Sequence, residues 1–294
     1  MQQLWILAFD HRNSLRTQFF KGRDVSADDC RRAKEIAFDG LLMAVEAGIP
    51  VGTPSLLIDD EYGADVARRA REAGITVAIP LERSGQRELS FEHVPLYSAI
   101  VDLDPQYAKI LVRYNPDGDL ALNARQRERL LEAQAWLHAN QKEMMLELLI
   151  PPEQKQRTRL GAAYDADIRP ALAVRAVREL IDAGLDPALW KLEGCHSRSD
   201  YEAIVAEVDR APRPDAGCLV LGRGADAAAV DRWLSLAAPV RGFVGFAVGR
   251  TLWWKPLAAH FAGQSSARDA AADICSNYQR LISVYRGACG EGTS

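Results

Sequence analysis

Cysteine is scarce in this chain of 294 residues, and no two cysteines stand close together. The five are Cys30, Cys195, Cys218, Cys275 and Cys289. Their odd number, their wide spacing and the lack of a CxxC pair argue against a disulfide framework and against a zinc-finger site. A reducing, cytoplasmic setting is therefore expected.

Long apolar runs are also missing. The N-terminal segment has only the short apolar stretch Leu4–Phe9 before acidic and basic side chains begin. That stretch is too short for the core of a signal peptide, and a membrane span needs about 20 apolar residues. We therefore expect a cytoplasmic protein with no membrane partner.

The chain has little excess of one charge sign and few histidines. Its formal net charge is −4, and its Lys and Arg residues are scattered. A nucleic-acid surface is thus not expected, although a local pocket for a small anion remains compatible. The histidines, none forming a close ligand pair, are His11, His93, His138, His196 and His260. No metal or other cofactor is predicted, and His11 is interpreted as a hydrogen-bonding or proton-relay group.

Short apolar runs alternate with helical patterns along the whole chain. The strand-like runs are 4–10, 48–59, 74–82, 108–114, 143–150, 188–194, 217–224 and 242–249. Helical patterns occur at 28–48, 123–140 (with Asn123 as candidate N-cap), 169–184, 199–211 and 226–238. The length alone fits two domains or one barrel, but eight alternating units favour an α/β fold of the (β/α)8 TIM-barrel type.

The end of the chain exceeds eight units. We predict one barrel domain over 1–287, in which an additional C-terminal helix at 267–287 packs across the outside or bottom, and a flexible tail at 288–294. The segment 151–170 follows strand five and is too long for a tight turn, so it is a candidate lid.

Polar residues gather where the predicted strands end, which is where barrel enzymes place their chemistry. These residues are Asp10, His11 and Arg12 after strand one, Glu82, Arg83 and Ser84 after strand three, Lys109 and Arg113 in strand four, Glu147 in strand five, and Lys191 and Glu193 in strand six. They are expected to meet in one pocket. A single structural ion pair, the alternative explanation of a buried lysine, would not need so many charged companions.

Lys191 is the candidate nucleophile. A buried ammonium group loses hydration, and a nearby cation adds repulsion, so such amines are partly uncharged and can form a Schiff base with a ketone. Lys109 would be the nearby cation. Glu147 and Asp10 are the leading candidates for moving protons, whereas Glu193 is a weaker candidate that could instead hold Lys191 in place.

Two glycine-rich turns follow strands seven and eight. The first contains Gly222, Arg223 and Gly224, and the second contains Gly249 and Arg250. Barrels commonly bind phosphate at this pair of loops, because glycine permits close approach and a helix N-terminus attracts anions. The alternative is two ordinary loops with solvated arginines.

The segments LAFDHR, KILVRYNPDGD, MLELLIPP, LWKLEGC, LVLGRGAD and GFAVGRTLWWKPL also carry a family resemblance. Over residues 4–286 the chain resembles the aldolase-like domain fused to the sugar kinase of inositol catabolism, which is similar to class I tagatose-bisphosphate aldolases. The resemblance implies a metal-independent lyase that cleaves 2-deoxy-5-keto-gluconate 6-phosphate to dihydroxyacetone phosphate and malonate semialdehyde.

The same resemblance implies residue roles: Lys191 as Schiff-base lysine, Lys109 as strand-four lysine, Glu147 as acid–base glutamate, Asp10 as strand-one aspartate and Arg250 as phosphate ligand. Two departures from the tagatose-bisphosphate pattern, the GRG turn and Arg113, add cations and favour a more acidic substrate. Tagatose 1,6-bisphosphate, a sulfo-sugar phosphate, a sugar-phosphate isomerase that uses Lys191 as a fixed charge, and a non-catalytic sensor remain alternatives. Homo-oligomerisation stays open.

Overall fold

The computed structural model describes residues 2–49, 53–92 and 98–290. Within them a closed barrel of parallel strands runs in chain order, and its last strand pairs with its first. The strands are β1 (Leu4–Phe9), β2 (Pro54–Ile58), β3 (Thr76–Pro80), β4 (Tyr107–Arg113), β5 (Glu143–Leu149), β6 (Leu189–Glu193), β7 (Gly217–Leu221) and β8 (Phe243–Val248). The predicted (β/α)8 barrel is confirmed, although residues 50–52 of the second predicted run lie outside the described residues.

Helices cover the outside of the barrel. They are α1 (Ala27–Glu46), α2 (Asp60–Glu72), α3 (Ser98–Leu103), α4 (Leu120–Ala139), α5 (Gln154–Leu160), α6 (Arg169–Asp182), α7 (Arg198–Val208), α8 (Ala227–Ala237), α9 (Arg250–Phe261) and α10 (Ala267–Ala288). Among the described residues, no helix is both long and apolar enough to cross a membrane.

Helix α4 begins earlier than predicted. Asp119 is its N-cap and accepts hydrogen bonds from the amides of Ala121 and Leu122. The predicted cap, Asn123, is instead buried within the helix, where its amide donates to the Asn115 carbonyl over 2.8 Å. Asp and Asn are both favourable N-cap residues, so the residue type alone does not show which of the two begins the helix.

From Gln154 onward the segment 151–170 is helical and not an open loop, while its role as a lid stays a prediction. Helix α5 is followed by short helical turns at Gly161–Ala163 and Tyr164–Ile168. The Tyr164 hydroxyl donates to the Ile150 carbonyl over 3.1 Å, and the Arg169 guanidinium donates to the Gly194 carbonyl over 2.6 Å. These contacts tie the segment to the ends of β5 and β6.

The extra helix packs outside the barrel, as predicted. Helix α10 lies against α1, α8 and α9. Two buried tyrosines fasten it to the start of two strands: Tyr278 donates to the Trp5 carbonyl and Tyr285 to the Phe243 carbonyl. The helix includes Ala288, the first residue of the predicted tail, and 291–294 lie outside the described residues.

Inward-facing side chains fill the barrel in layers. The lower layers are apolar and consist of Leu4, Ile6, Ala8, Leu57, Ala78, Met145, Leu189, Leu219 and Ala247. Because strand side chains alternate between faces, the same inner face carries Asp10, Glu147 and Lys191 two positions further along. The polar residues therefore stand on an apolar floor at the carboxyl ends of the strands.

A buried ion pair supports the end of β1 from outside the barrel. Lys34 of α1 contacts the Asp59 carboxylate, and both side chains are fully buried. The Lys34 ammonium also donates to the carbonyls of Phe9 and His11, over 2.5 and 3.2 Å. It thus fixes the backbone on both sides of Asp10.

We expect Lys34→Met to lower the free energy of unfolding by about 3–5 kcal/mol, because it leaves the Asp59 carboxylate buried without its cation. Urea denaturation followed by circular dichroism measures this. Arg32→Met is the matched control on α1, since the Arg32–Glu35 pair is half-exposed and its loss should cost at most about 0.5 kcal/mol. Equal losses in both variants would contradict the assignment.

Candidate active site

A cavity of about 260 Å³ opens at the carboxyl ends of the strands. Most of the predicted site residues line it, and Glu193 does not: the lining includes Asp10, His11, Arg12, Lys109, Arg113, Glu147, Lys191, Gly222, Arg223, Gly224, Gly249 and Arg250. The structure thus brings these residues together, while their roles stay predictions.

Lys191 and Glu147 lie opposite each other on neighbouring strands, since the parallel register of β5 and β6 pairs them directly. The Lys191 Nζ is 2.8 Å from Glu147 Oε2, and both side chains are at least nine-tenths buried. An amine and a carboxylate at this distance can exchange a proton without moving. The pair therefore has the geometry that a Schiff-base lysine and its acid–base partner need.

Lys109 is surrounded by carboxylates. Its Nζ lies 2.7 Å from Asp10 Oδ2, 2.6 Å from Glu82 Oε1 and 3.0 Å from Glu147 Oε2. Burial alone would favour the neutral amine, but the charges of Asp10, Glu147 and Glu82 raise the pKa of Lys109 well above its usual value. Lys109 is therefore a fixed cation, and it shares one Glu147 oxygen with Lys191.

The two carboxylates predicted to move protons are ionised at neutral pH. Burial opposes the charge of Glu147, but Lys109 and Lys191 outweigh it and hold the pKa of Glu147 below its usual value. Burial likewise opposes the charge of Asp10, yet Lys109, Lys191 and His11 hold the pKa of Asp10 far below its usual range. Both groups start as proton acceptors.

Glu82 is the site residue that the sequence interpretation did not select. It was recognised only as a polar residue after strand three, and it lies in contact with Lys109 in the same cavity. Burial raises the pKa of Glu82 despite the attraction of Lys109. A signal was present, because an acidic residue directly after an apolar strand enters the same mouth as the others.

Glu193 does not hold Lys191, so that interpretation is wrong. Its Oε2 accepts from the Ile150 amide over 2.8 Å, and its Oε1 lies 3.1 Å from Arg223 Nε. Burial raises the pKa of Glu193. As the last residue of its strand, Glu193 turns toward the neighbouring loops instead of following Lys191 into the cavity.

The two arginines predicted to bind phosphate differ in their surroundings. Arg223 lies 2.9 Å from Asp165 Oδ1 and 3.1 Å from Glu193 Oε1, so two carboxylates already balance its charge. Arg250 donates instead to the Arg223 carbonyl over 3.0 Å. Within the part of the chain described, no carboxylate pairs with Arg250, which leaves its charge for a ligand.

Glycine is required beside Arg250. Gly224 has a φ of +70°, and a Cβ there would lie 2.3 Å from Arg250 Cζ. At Gly249 a Cβ would lie 2.3 Å from the Ala8 carbonyl oxygen. Gly249 is also the N-cap of α9, so no side chain covers the first amides of that helix. Helix α8 differs, because its Asp226 cap accepts from the Ala229 amide. The start of α9 is the better anion position of the two.

The remaining predicted residues border the cavity. Arg12 is buried and donates to the Glu82 carbonyl over 2.6 Å, which is a structural contact. Arg113 donates to the Gln86 carbonyl over 2.7 Å near the exposed rim. His11 packs edge-on against Trp253, with ring centroids 5.2 Å apart.

Metal-binding geometry is absent from the described residues, in which no three His, Cys, Asp or Glu side chains form a set that could hold an ion. Asp10, Glu82 and Glu147 converge on the Lys109 ammonium instead. His196 is exposed and does not line the cavity, and His93 lies outside the described residues.

Comparison with known proteins places the sequence in a family. The chain belongs to the family described as "Uncharacterized protein conserved in bacteria (DUF2090)", whose sequence model matches residues 1–289. No curated protein matches the chain.

Solved structures with the same fold include several aldolases. Fructose-bisphosphate aldolase from Plasmodium falciparum aligns with a TM-score of 0.70 at 14% identity, over 100% of this chain and 92% of that one. A Schiff-base-forming fructose-1,6-bisphosphate aldolase aligns at 0.59 and 14%, over 95% and 94%. The fructose-bisphosphate aldolase of Slackia heliotrinireducens aligns at 0.56 and 14%, over 97% and 86%. At these identities the likeness establishes the barrel fold.

We expect His11 to be neutral at pH 7. Burial disfavours the imidazolium and outweighs the attraction of Asp10, so the pKa of His11 falls to about 4. Histidine-selective NMR between pH 4 and 8 tests this, with the signal assigned by its loss in His11→Gln. A midpoint between 6 and 7 would contradict the expected burial effect.

Proposed function

We propose that this protein is a class I aldolase that cleaves a phosphorylated keto-sugar or keto-sugar acid through a Schiff base on Lys191. The observation that carries the proposal is the buried Lys191–Glu147 contact of 2.8 Å, which opens on a cavity beside a second, fixed cation. The Schiff-base-forming aldolase of the same fold supports this choice of chemistry.

The first half of the reaction forms the imine. Glu147 takes a proton from the Lys191 ammonium, the freed amine attacks the ketone carbon of the substrate, and Glu147 passes that proton to the carbonyl oxygen to give a carbinolamine. Glu147 receives the proton released by the attacking nitrogen and returns it to the departing hydroxyl, so that water leaves. Lys109 keeps its proton and stabilises the negative charge that develops on the oxygen.

The second half breaks the carbon–carbon bond. A carboxylate removes the proton of the hydroxyl two carbons from the iminium carbon, and the bonding electrons move into the iminium to give an enamine. The aldehyde leaves, the enamine carbon is protonated, and water releases dihydroxyacetone phosphate. Asp10 and Glu147 both border the cavity and are the candidates for these transfers. The iminium is the electron sink, so the proposed reaction needs no metal or other cofactor.

For the substrate we propose 2-deoxy-5-keto-gluconate 6-phosphate, with malonate semialdehyde as the second product. Two separate cationic positions line the cavity: Arg250 at the start of α9 and Arg113 on β4. They suit a phosphate at one end and a carboxylate at the other. Tagatose 1,6-bisphosphate and a sulfo-sugar phosphate are the competing substrates.

Borohydride reduction in the presence of dihydroxyacetone phosphate is expected to add a three-carbon adduct to Lys191, because reduction traps the imine. Peptide mass spectrometry locates it. Lys191→Arg should abolish labelling and turnover, since a guanidinium cannot form the imine. Lys109 should stay unlabelled as the internal control. Turnover that persists in Lys191→Arg would indicate a fixed-charge isomerase or epimerase instead.

Arg113→Met is expected to lower kcat/KM for 2-deoxy-5-keto-gluconate 6-phosphate by about 10- to 100-fold, the value of one charge-assisted hydrogen bond. Dihydroxyacetone phosphate release, assayed by a coupled reaction on all three candidate substrates, measures it. Arg125→Met is the control, because Arg125 pairs with Glu88 at the surface. A wild-type preference for tagatose 1,6-bisphosphate would overturn the proposed substrate.

A further inference from the structure

Both carboxylate oxygens of Glu82 and its backbone carbonyl accept hydrogen bonds. Its Oε1 accepts from Lys109 over 2.6 Å, its Oε2 accepts from the Leu111 amide over 3.1 Å, and its carbonyl accepts from Arg12 over 2.6 Å. The side chain is 9% exposed. A carboxylate tied in this way cannot swing between substrate atoms as a general acid or base does.

The backbone explains why the carboxylate is needed at this point. The β3–β4 ladder continues as far as the bond from the Leu81 amide to the Lys109 carbonyl. The Leu81 carbonyl, next in line, instead accepts from the Glu92 amide. The Leu111 amide would therefore be left unpaired, and Glu82 Oε2 accepts from it. The strand end and the lysine are thus fixed by one side chain.

The contact between Glu82 and Lys109 also affects the charge balance during the reaction, and this step rests on the proposed function. Lys109 donates hydrogen bonds to Asp10 and Glu82, while its contact with Glu147 is an ion pair at 3.0 Å. Whenever Glu147 takes up a proton in the cycle, Lys109 loses one counter-charge. Glu82 takes part in none of the proposed proton transfers, so its contact with Lys109 is the same throughout the cycle.

We infer that Glu82 is a positioning residue for the aldol reaction: it keeps Lys109 protonated and accepts one of its hydrogen bonds, so that Lys109 contacts Glu147 only as an ion pair and Lys191 stays the hydrogen-bond donor to Glu147 Oε2. Without this carboxylate, Lys109 would have a free N–H that competes with Lys191 for Glu147 Oε2. The amine and its proton acceptor would then separate, and Lys109 would lose its proton more easily.

Glu82→Gln tests the inference, because it preserves shape and removes charge. We expect kcat to fall about 10- to 100-fold with KM changed less than about threefold. The alkaline limit of the kcat–pH profile should move to lower pH by about one unit, because Lys109 loses one of its carboxylates. Glu88→Gln, on the same β3–β4 connection but paired with the surface residues Arg125 and Arg129, should match the wild type.

Borohydride trapping separates failure of this inference from failure of the proposed function. If wild-type Lys191 is trapped by dihydroxyacetone phosphate while Glu82→Gln keeps wild-type kcat and pH profile, the inference on Glu82 is overturned and the aldolase proposal stands. If wild-type Lys191 is never trapped, both are overturned.

A conservative variant guards against misfolding of Glu82→Gln, which thermal denaturation reveals. Glu82→Asp keeps the charge but is one methylene too short to reach both Lys109 and Leu111. Its pH profile should stay within about 0.3 units of the wild type, while kcat falls at least about tenfold. An undiminished kcat in Glu82→Asp would overturn the positioning role.

Discussion

The site depends on one buried ammonium group with more negative charge around it than it can balance. Lys109 meets Asp10, Glu82 and Glu147 within 3.0 Å, and only Lys191 adds a second cation among these groups. An isolated charge in this position would carry a large desolvation cost, so every member of the cluster needs the others. The same surplus of negative charge suits a reaction that creates an iminium ion, because the site is already poised to hold another positive charge.

The barrel supplies the rigidity that such a cluster requires. Its lower interior is filled by apolar side chains, so the charged side chains above them have no space into which they could move. Parallel register then sets lateral spacing, as in the direct pairing of Glu147 with Lys191. Distances near 3 Å between groups on or just after five strands follow from backbone geometry and need no flexible loop.

Much of this was readable from the sequence. The eight apolar runs and the polar residues at their ends predicted the barrel and a shared mouth, because strand period and strand end are local properties. The sequence alone did not decide whether Lys191 pairs with Glu147 or with Glu193. That pairing depends on how the end of β6 turns, and on Arg223 and Ile150, which follow β7 and β5.

Glu82 and the 151–170 segment both depend on tertiary contacts that the sequence alone does not reveal. The sequence placed Glu82 at the right strand end, but its importance comes from an unpaired amide on β4 that only the assembled ladder reveals. The 151–170 segment has loop-like composition, yet tertiary contacts of Tyr164 and Arg169 accompany a helical path. The start of α4 was also misplaced, at Asn123 instead of Asp119, because either residue type can cap a helix.

The Lys34–Asp59 pair has a consequence that reaches beyond folding. Lys34 belongs to α1, outside the barrel wall, yet its ammonium fixes the two carbonyls that flank Asp10. Local opening of the first helix would therefore release Asp10, the proposed proton acceptor, while the strands were still paired. If the proposed function holds, turnover would be lost at a lower temperature than the one that unfolds the barrel, and the difference would measure how firmly α1 is packed against it.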